Sequence, residues 1–406
     1  MLTIEQALQQ IQDALPKPLL EERDIANCSG YLLAEDIVAV EPAPLFTNSA
    51  MDGYATKWED VKDATPETPI TLHIAGESQA GIPMNEVLTS GYAARISTGA
   101  RLMPGADTVI PIEVIHETET TINVLKVNKP HQHIRNEGEE FTAGEKLLLA
   151  GCVLGPPQLA ILASQGITKV STFKAPSVSV IATGTELVPF HEKPAPGQIR
   201  DSNRLMLSCA VTDSGGTIGL SSHVSDNYSD TVKSIEDAAS NAGIILFSGG
   251  VSVGPHDLVK DAAAECGFNE IFWRVRQKPG KPLFFAQRGD TLLFGLPGNP
   301  VSSYMSYMVY VHPVIRYLCG HPFKQDGFIG CLAEDIHNTM DRAHLMRVAI
   351  QHVDNALPEI SPLARQGSHM ISSISGASGF IRVNAGEMLK AGTEVRVIPL
   401  SKSGRE

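Results

Sequence analysis

Short apolar runs alternate with helix-like segments in the middle of the chain. Three runs (VSVIA, IILF and LLF) begin at Val178, Ile244 and Leu292. Between them lie two segments with helical signals, one after the N-cap choices in Asp201-Ser202-Asn203 and one from Tyr228 to Ala242, where apolar residues recur at helical spacing. This alternation predicts a parallel α/β sheet.

Each apolar run leads directly into a Gly-rich turn: TGTEL at 183–187, SGGVSVG at 248–254 and GLPGNP at 295–300. Ligands of parallel α/β sheets bind beyond the carboxyl ends of the strands. Glycines leave backbone N–H groups uncovered, so such turns can bind phosphate or another oxyanion. None of the turns has the Walker A spacing, and no GxGxxG opens the first one, which argues against ordinary nucleotide hydrolysis. Purely structural turn glycines are the alternative.

The remaining chain predicts three further regions. Residues 3–15 have the apolar spacing of an amphipathic helix, and we expect it to pair with a second helix at 154–164. Short alternating runs from Ile70 to Leu149 and again after residue 323 are typical of small barrels or sandwiches. The predicted domains are a helical stalk (1–40 with 135–175), a β-rich inserted domain (41–134), the α/β domain (176–320) and a small C-terminal β-barrel (321–406).

Composition narrows the class of function. The chain has 45 acidic and 32 basic residues, a formal net charge of −13, which argues against a nucleic-acid partner because that would require a basic surface. Six scattered cysteines without a CxxC pair indicate neither a zinc site nor a disulfide framework. No run of about 18 apolar residues predicts a membrane span. We expect a soluble cytoplasmic protein.

Charged residues are placed near the Gly-rich turns. Glu186 lies in the first turn, Asp257 follows the second, and Asp226 is expected at the N-cap of the Tyr228 helix. Lys278 and Lys281, in KPGKP, can hold a phosphate or tetrahedral oxyanion as point charges, and the carboxylates can hold a divalent cation. An exposed turn with solvated lysines is the alternative for KPGKP. The serine-rich stretch 366–380 is expected to be a solvated turn.

Eight motifs in order resemble one family: NSAMDGYA, RISTGARLMPGADTVIP, RNEGEE, VIATGTELV, GQIRDSNR, SGGVSVGPHD, KPGKPLFF and GLPGNPVSS. They are similar to those of the bacterial MoeA proteins, molybdopterin molybdenumtransferases related to the C-terminal domain of gephyrin. The resemblance covers nearly the whole chain. Two positions depart from it, since the family usually has Asp where this chain has Thr47, and Asp where it has Glu140.

The resemblance implies a multidomain homodimer whose α/β domain has the molybdopterin-binding (MoaB/Mog-like) fold. It implies a reaction between adenylyl-molybdopterin and molybdate, with Mg²⁺, that inserts molybdenum and releases AMP, and a possible hand-over from a molybdopterin adenylyltransferase. In the family, the cleft lies between the β-rich domain of one subunit and the α/β domain of the other. Asp52 and Thr98 would then face Glu186.

Matching the motifs residue by residue implies three sets of functional positions. The implied catalytic residues are Asp52, Thr98, Glu186, Asp226, Asp257, Lys278 and Lys281. The implied cofactor-binding residues are Gly184, Ser248, Gly249, Gly250, Ser252, Gly254, Pro297, Gly298, Asn299, Pro300 and Ser302. Asp257 is the implied metal ligand. Two weaker interpretations are a pterin-binding scaffold without catalysis and the preceding adenylylation step.

Overall fold

The computed structural model describes residues 1–251 and 258–400 and divides into two compact units. Residues 24–29 and 35–170 form the inserted unit, and residues 1–23, 30–34 and those from 171 onward form the main unit. Strands Leu20–Asp24 and Lys169–Phe173 include positions where the chain passes from one unit to the other. Each unit has its own apolar core.

A six-stranded sheet organises the main unit. Its order is Thr217–Val224, Ser177–Thr183, Ile244–Ser248, Thr291–Leu296, Phe284–Arg288 and Asn269–Trp273. The first four strands are parallel, with Val178 opposite Ile244 and Ile244 opposite Leu292. The predicted parallel core is therefore confirmed, and the three Gly-rich turns follow three adjacent strands. The last two strands run antiparallel to their neighbours, an arrangement that apolar runs alone do not reveal.

Both faces of this sheet are covered, as in other α/β folds. Leu246 and Phe294 belong to one apolar cluster, whereas Ile245 and Leu293, next to them along the strands, belong to another. The predicted helices form at Asn203–Asp213 and Tyr228–Asn241. Their buried side chains enter opposite clusters, so the helices cover opposite faces.

The N-terminal helix, Ile4–Asp13, has a capping box in which Thr3 and Gln6 each accept a hydrogen bond from the other's backbone N–H. The structure differs from the expected pairing with a second helix. Ile4, Ala7 and Ile11 are buried in the core of the α/β sheet, whereas Pro156–Ser164 belongs to the inserted unit. The amphipathic pattern identified the buried face of the helix but not its neighbour.

A continuous helical segment follows the third Gly-rich turn. It consists of Pro300–Ser306, a π-helical stretch Tyr307–Val311, and His312–Leu318. We expected Pro313 to kink or end a helix here. The helix instead continues through Pro313, and the π-helical stretch directly before it accommodates the proline. The side-chain amide of Gln325 donates to the Val309 carbonyl oxygen at 3.2 Å.

The C-terminal region contains the predicted β-barrel. Five strands close on themselves: Ala343–Gln351, Glu359–Pro362, Phe328–Leu332, Glu394–Pro399 and Gly379–Val383, with the last pairing back to the first. Closure leaves these strands without a free sheet edge. Strand Gln277–Lys278 extends this sheet, with Lys278 opposite His344.

The inserted unit is β-rich, as predicted. Its six-stranded sheet has the order Thr108–Pro111, Gly53–Thr56, Tyr92–Ile96, Ile70–Ser78, Thr121–Val124 and Ile115–Glu117. Shorter strands are Ile37–Val38, Asn48–Ser49, Ile134–Arg135 and Lys146–Leu148, and short helices are Ile25–Asn27, Trp58–Val61 and Ile112–Val114. Two small apolar clusters form its core.

The main unit has further short elements. They are strands Leu187–Val188, Ile199–Arg200, Ile336–His337 and Met388–Leu389, and helices Val259–Glu265 and Ser372–Ser375. Within residues 1–251 and 258–400, no helix is both long and apolar enough to cross a membrane.

Candidate functional site

The three Gly-rich turns meet at one cleft of about 680 Å³ beyond the carboxyl ends of the parallel strands. Ten of the predicted site residues line it: Gly184, Glu186, Asp226, Ser248, Gly249, Gly250, Pro297, Gly298, Asn299 and Pro300. A cleft of this volume accommodates a ligand of cofactor size. Its position at the sheet edge is the one that the fold class leads us to expect for a ligand site.

The second turn needs its glycines because neighbouring atoms approach them closely. Gly250 has φ +69°, and a Cβ there would lie 2.7 Å from Cγ2 of Val259. Gly249 has φ +100°, and a Cβ there would lie 2.9 Å from the Thr183 carbonyl oxygen. Both the backbone conformation and the available space thus exclude a side chain, which leaves the peptide backbone of this turn facing the cleft.

Two polar side chains hold the first turn in shape. Oδ2 of Asp226 accepts hydrogen bonds from N and Oγ1 of Thr185, at 3.1 and 3.2 Å. Nε2 of His223 lies 2.8 Å from the Gly184 carbonyl oxygen. The carboxylate of Glu186 is exposed and folds back toward Gly184. Asn227, not Asp226, caps the following helix by accepting from the backbone N–H of Asp230.

Asn203 connects the second and third turns. Its Nδ2 donates to Oγ of Ser248 at 2.9 Å and to the Gly298 carbonyl oxygen at 2.6 Å. The sequence contained this residue in the GQIRDSNR motif, but we interpreted it only as a possible helix cap. The neighbouring Asp201 is buried and paired with Arg204, with Oδ2 2.7 Å from Nε.

His369 reaches the cleft from the loop that joins two barrel strands. Its neighbour Ser368 accepts a hydrogen bond through its carbonyl oxygen from the backbone N–H of Val301, at 3.3 Å. The stretch that we expected to be a solvated turn therefore borders the site. It also contains the short helix Ser372–Ser375, with Ser373 buried.

The two lysines of KPGKP do not line this cleft. Both are exposed, but Pro279 and Gly280 between them are buried, and the Gly280 carbonyl oxygen accepts from Nε2 of Gln277 at 3.1 Å. Lys281 borders a small separate pocket. The loop is thus a turn with a packed backbone and two exposed lysines.

A cationic cluster lies where Lys278 meets the barrel. His344 is 8 % exposed, and burial, followed by the nearby charges of Lys278 and Arg347, lowers its pKa to about 4. Arg347 is fully buried, and its Nη2 donates to the Arg365 carbonyl oxygen at 3.2 Å. Within the described part of the chain, no hydrogen-bond partner satisfies Nε and Nη1 of Arg347 or Nε2 of His344. Buried unpaired donors beside like charges favour binding of an anion.

Three more of the predicted site residues, Asp52, Thr98 and Ser302, do not line this cleft. Oδ1 of Asp52 accepts from the backbone N–H of Thr98 at 2.9 Å within the inserted unit, and Ser302 is buried in the helix after the third turn. Ser252, Gly254 and Asp257 lie outside the described residues. In residues 1–251 and 258–400, no group of three or more His, Cys, Asp or Glu residues is arranged to hold a metal ion.

This fold and cleft define a protein of the molybdopterin-binding class. The model of a probable molybdopterin-binding domain matches residues 179–317, the MoeA N-terminal region (domains I and II) matches residues 2–166, and the MoeA C-terminal region (domain IV) matches residues 330–400. The chain therefore belongs to the MoeA family of molybdopterin molybdenumtransferases, enzymes of molybdenum cofactor biosynthesis.

Individual relatives agree with this assignment. The chain is 34% identical to the molybdopterin molybdenumtransferase of Haemophilus influenzae over 405 residues, covering 95% of this chain and 97% of the relative. It is 36% identical to that of a Nostoc species over 300 residues, covering 73% of this chain and 69% of the relative. A molybdopterin biosynthesis MoeA protein from Pyrococcus horikoshii matches with a TM-score of 0.85 and 30% identity, covering 99% of both chains.

Proposed function

We propose that this enzyme transfers molybdenum from molybdate into the dithiolene of adenylylated molybdopterin and releases AMP. The observation that carries the proposal is the single cleft formed by all three Gly-rich turns, with Glu186 and Asp226 on its wall. Such a cleft suits a ligand with both phosphate oxygens and the polar edge of a pterin ring, because backbone groups and carboxylates are available to both.

Magnesium fits this cleft as a cation shared with the substrate. Mg²⁺ is commonly held by one or two carboxylates together with substrate phosphates, and Glu186 and Asp226 are such carboxylates. When bound, the ion would neutralise charge on the phosphoanhydride that is cleaved. Asp226 also fixes Thr185, so it would position the turn, whereas the exposed Glu186 carboxylate would contact the cation or a water molecule.

Molybdate is a tetrahedral dianion, and we assign its initial binding to the cationic cluster of Lys278, His344 and Arg347. Three buried side-chain nitrogens in this cluster have no partner among the described residues, and Lys278 adds an exposed positive charge. An oxyanion bound beside Lys278 and Arg347 would accept from the unpartnered guanidinium nitrogens of Arg347 and offset the two positive charges. A positive cluster of this kind, in a chain with net charge −13, supports an anionic substrate.

The proposal extends to assembly and location. The Asp52–Thr98 hydrogen bond shapes a polar corner of the inserted unit, and we infer that this corner faces Glu186 of a second copy in a homodimer. Direct hand-over of the adenylylated substrate from a molybdopterin adenylyltransferase would protect a labile intermediate. The six cysteines, all among the described residues, form no disulfide, which is consistent with a location in the reducing cytoplasm.

The test is AMP release from adenylyl-molybdopterin, with and without molybdate and Mg²⁺. We expect the wild type to release AMP only when both are present, Glu186→Ala to lose most of this activity, and Glu334→Ala, which removes an exposed carboxylate of the barrel, to behave like the wild type. Release that is independent of molybdate, or a fully active Glu186→Ala variant, would contradict the proposal. Assembly is tested by sedimentation. A protein that sediments as a monomer and has full activity would contradict the homodimer.

A further inference from the structure

The cleft is polarised from the first turn to the third. At the first turn, the lining side chains include the carboxylates of Glu186 and Asp226. At the third turn, the lining residues Pro297 to Pro300 carry no charge. Among the described residues that line the cleft, only Arg200 and His369 can carry a positive charge. Nε of Arg200 already donates to the Glu192 carbonyl oxygen at 3.0 Å.

His369 is exposed, and no hydrogen bond joins its ring to another described side chain. An imidazole in this position can donate to a phosphate oxygen. Such a donor is needed at the third turn, because two prolines, Pro297 and Pro300, remove two backbone N–H groups there. The imidazole would supply what the backbone lacks.

Hydrogen bonds from Gln366 join the loop that carries His369 to the barrel backbone. Nε2 of Gln366 donates to the carbonyl oxygens of Arg347 and Leu363, both at 2.8 Å, and Oε1 of Gln366 accepts from the backbone N–H of Arg347 at 3.1 Å. Ser368 is joined to the start of the helix after the third turn. Gln366 and Ser368 are therefore both held, which restrains the backbone next to His369.

We propose that His369 is a substrate-binding residue which the C-terminal β-barrel supplies to the cleft, and that it binds the phosphate-bearing end of the substrate at the third turn. Mg²⁺ held by the carboxylates of the first turn would contact the same phosphoanhydride. Gln366 is a positioning residue that acts through the loop. This inference rests on the proposed function, which it deepens by assigning an orientation to the substrate.

The first test separates KM from kcat for AMP release in four proteins: wild type, His369→Ala, His369→Gln and the control His352→Gln, which changes an exposed barrel histidine. We expect KM for adenylyl-molybdopterin to rise about tenfold or more in His369→Ala, because a charge-assisted hydrogen bond is lost. His369→Gln should recover part of the loss, since its amide can donate. A wild-type KM in His369→Ala, with molybdate-dependent release intact, would overturn this inference and leave the proposed function standing.

The second test needs no turnover. Diethyl pyrocarbonate should modify His369 more slowly when molybdopterin is bound, whereas modification of His352 should not change, with both sites read by peptide mass spectrometry. This result can be obtained even if the wild type releases no AMP, in which case the proposed function alone fails. Equal modification of His369 with and without bound molybdopterin would overturn the inference.

The third test concerns Gln366. We expect Gln366→Ala to raise KM on its own but to add little in the His369→Ala background, because both changes act on one interaction. Full additivity of the two effects would overturn the positioning role of Gln366.

Discussion

The buried imidazole of His344 makes the stability of the main unit depend on pH. Its pKa in the folded chain is about 4, below the ordinary value of 6.5, because the ring is buried beside Lys278 and Arg347. Between these two values the unfolded chain binds a proton that the folded chain does not, so stability falls as the pH is lowered from 6.5 toward 4. The full effect is about 3 kcal/mol, since one pH unit corresponds to about 1.4 kcal/mol.

When the pH is lowered from about 7.5 to about 5, protonation of His344 in the unfolded chain should reduce the free energy of unfolding by about 2 kcal/mol. The assay is urea unfolding followed by Trp273 fluorescence in a Trp58→Phe background, because Trp58 lies in the inserted unit and Trp273 in the main unit. His344→Gln should lose about 2 kcal/mol less than the parent over this range, and His352→Gln should match the parent.

Equal losses in the parent and in His344→Gln would refute the account of His344. A further consequence follows from the proximity of His344 to the cations Lys278 and Arg347. An oxyanion bound among Lys278, His344 and Arg347 should raise the pKa of His344, so molybdate should stabilise the parent more strongly at about pH 5 than at about pH 7.5. The His344→Gln variant should show a weaker dependence on pH.

Three further changes probe the cleft and its supports. Asn203→Ala removes donors to Ser248 and Gly298 and should lower stability by about 1–2 kcal/mol and raise KM for the substrate; unchanged KM and unfolding midpoint would contradict the bridging role. Gly250→Ala should destabilise the main unit by more than about 1 kcal/mol. The control is Gly197→Ala, which is also at positive φ but in open space and should cost only the backbone strain. Equal losses of unfolding free energy in the two variants would argue against crowding by Val259. Tyr310→Phe removes the buried hydrogen bond from Tyr310 to Gln277 and should cost about 1–3 kcal/mol, measured by the same fluorescence; no loss would show that Gln277 finds another donor.

Local patterns in the sequence predicted the strands, the turns that follow them and the helices between, because each depends on neighbouring residues. The Gly-rich turns were placed correctly for this reason. Asn203 and His369 were missed because their roles depend on contacts far along the chain, Asn203 with Gly298 and His369 with the third turn. The direction of the strand Phe284–Arg288 likewise depends on pairing rather than on composition.

Charged groups were harder to place than apolar ones. The lysines of KPGKP were expected beside the Gly-rich turns, but neither of them lines the cleft, and Lys278 pairs with the barrel strand that carries His344. Arg347 gave no signal in the sequence, since an isolated arginine in a strand is usually solvated. Only the fold shows that it is buried.

Pro313 has a consequence beyond the shape of its own helix. A proline has no N–H, so the Val309 carbonyl, four residues earlier, lacks its usual helical donor, and the side chain of Gln325 donates to it instead. The N–H group that Pro313 lacks thus leaves a carbonyl oxygen available to Gln325, which lies in the segment that leads into the barrel. Replacing Pro313 with alanine would restore a helical N–H near this carbonyl, so the bond from Gln325 would contribute less to holding the segment before the barrel against the helix.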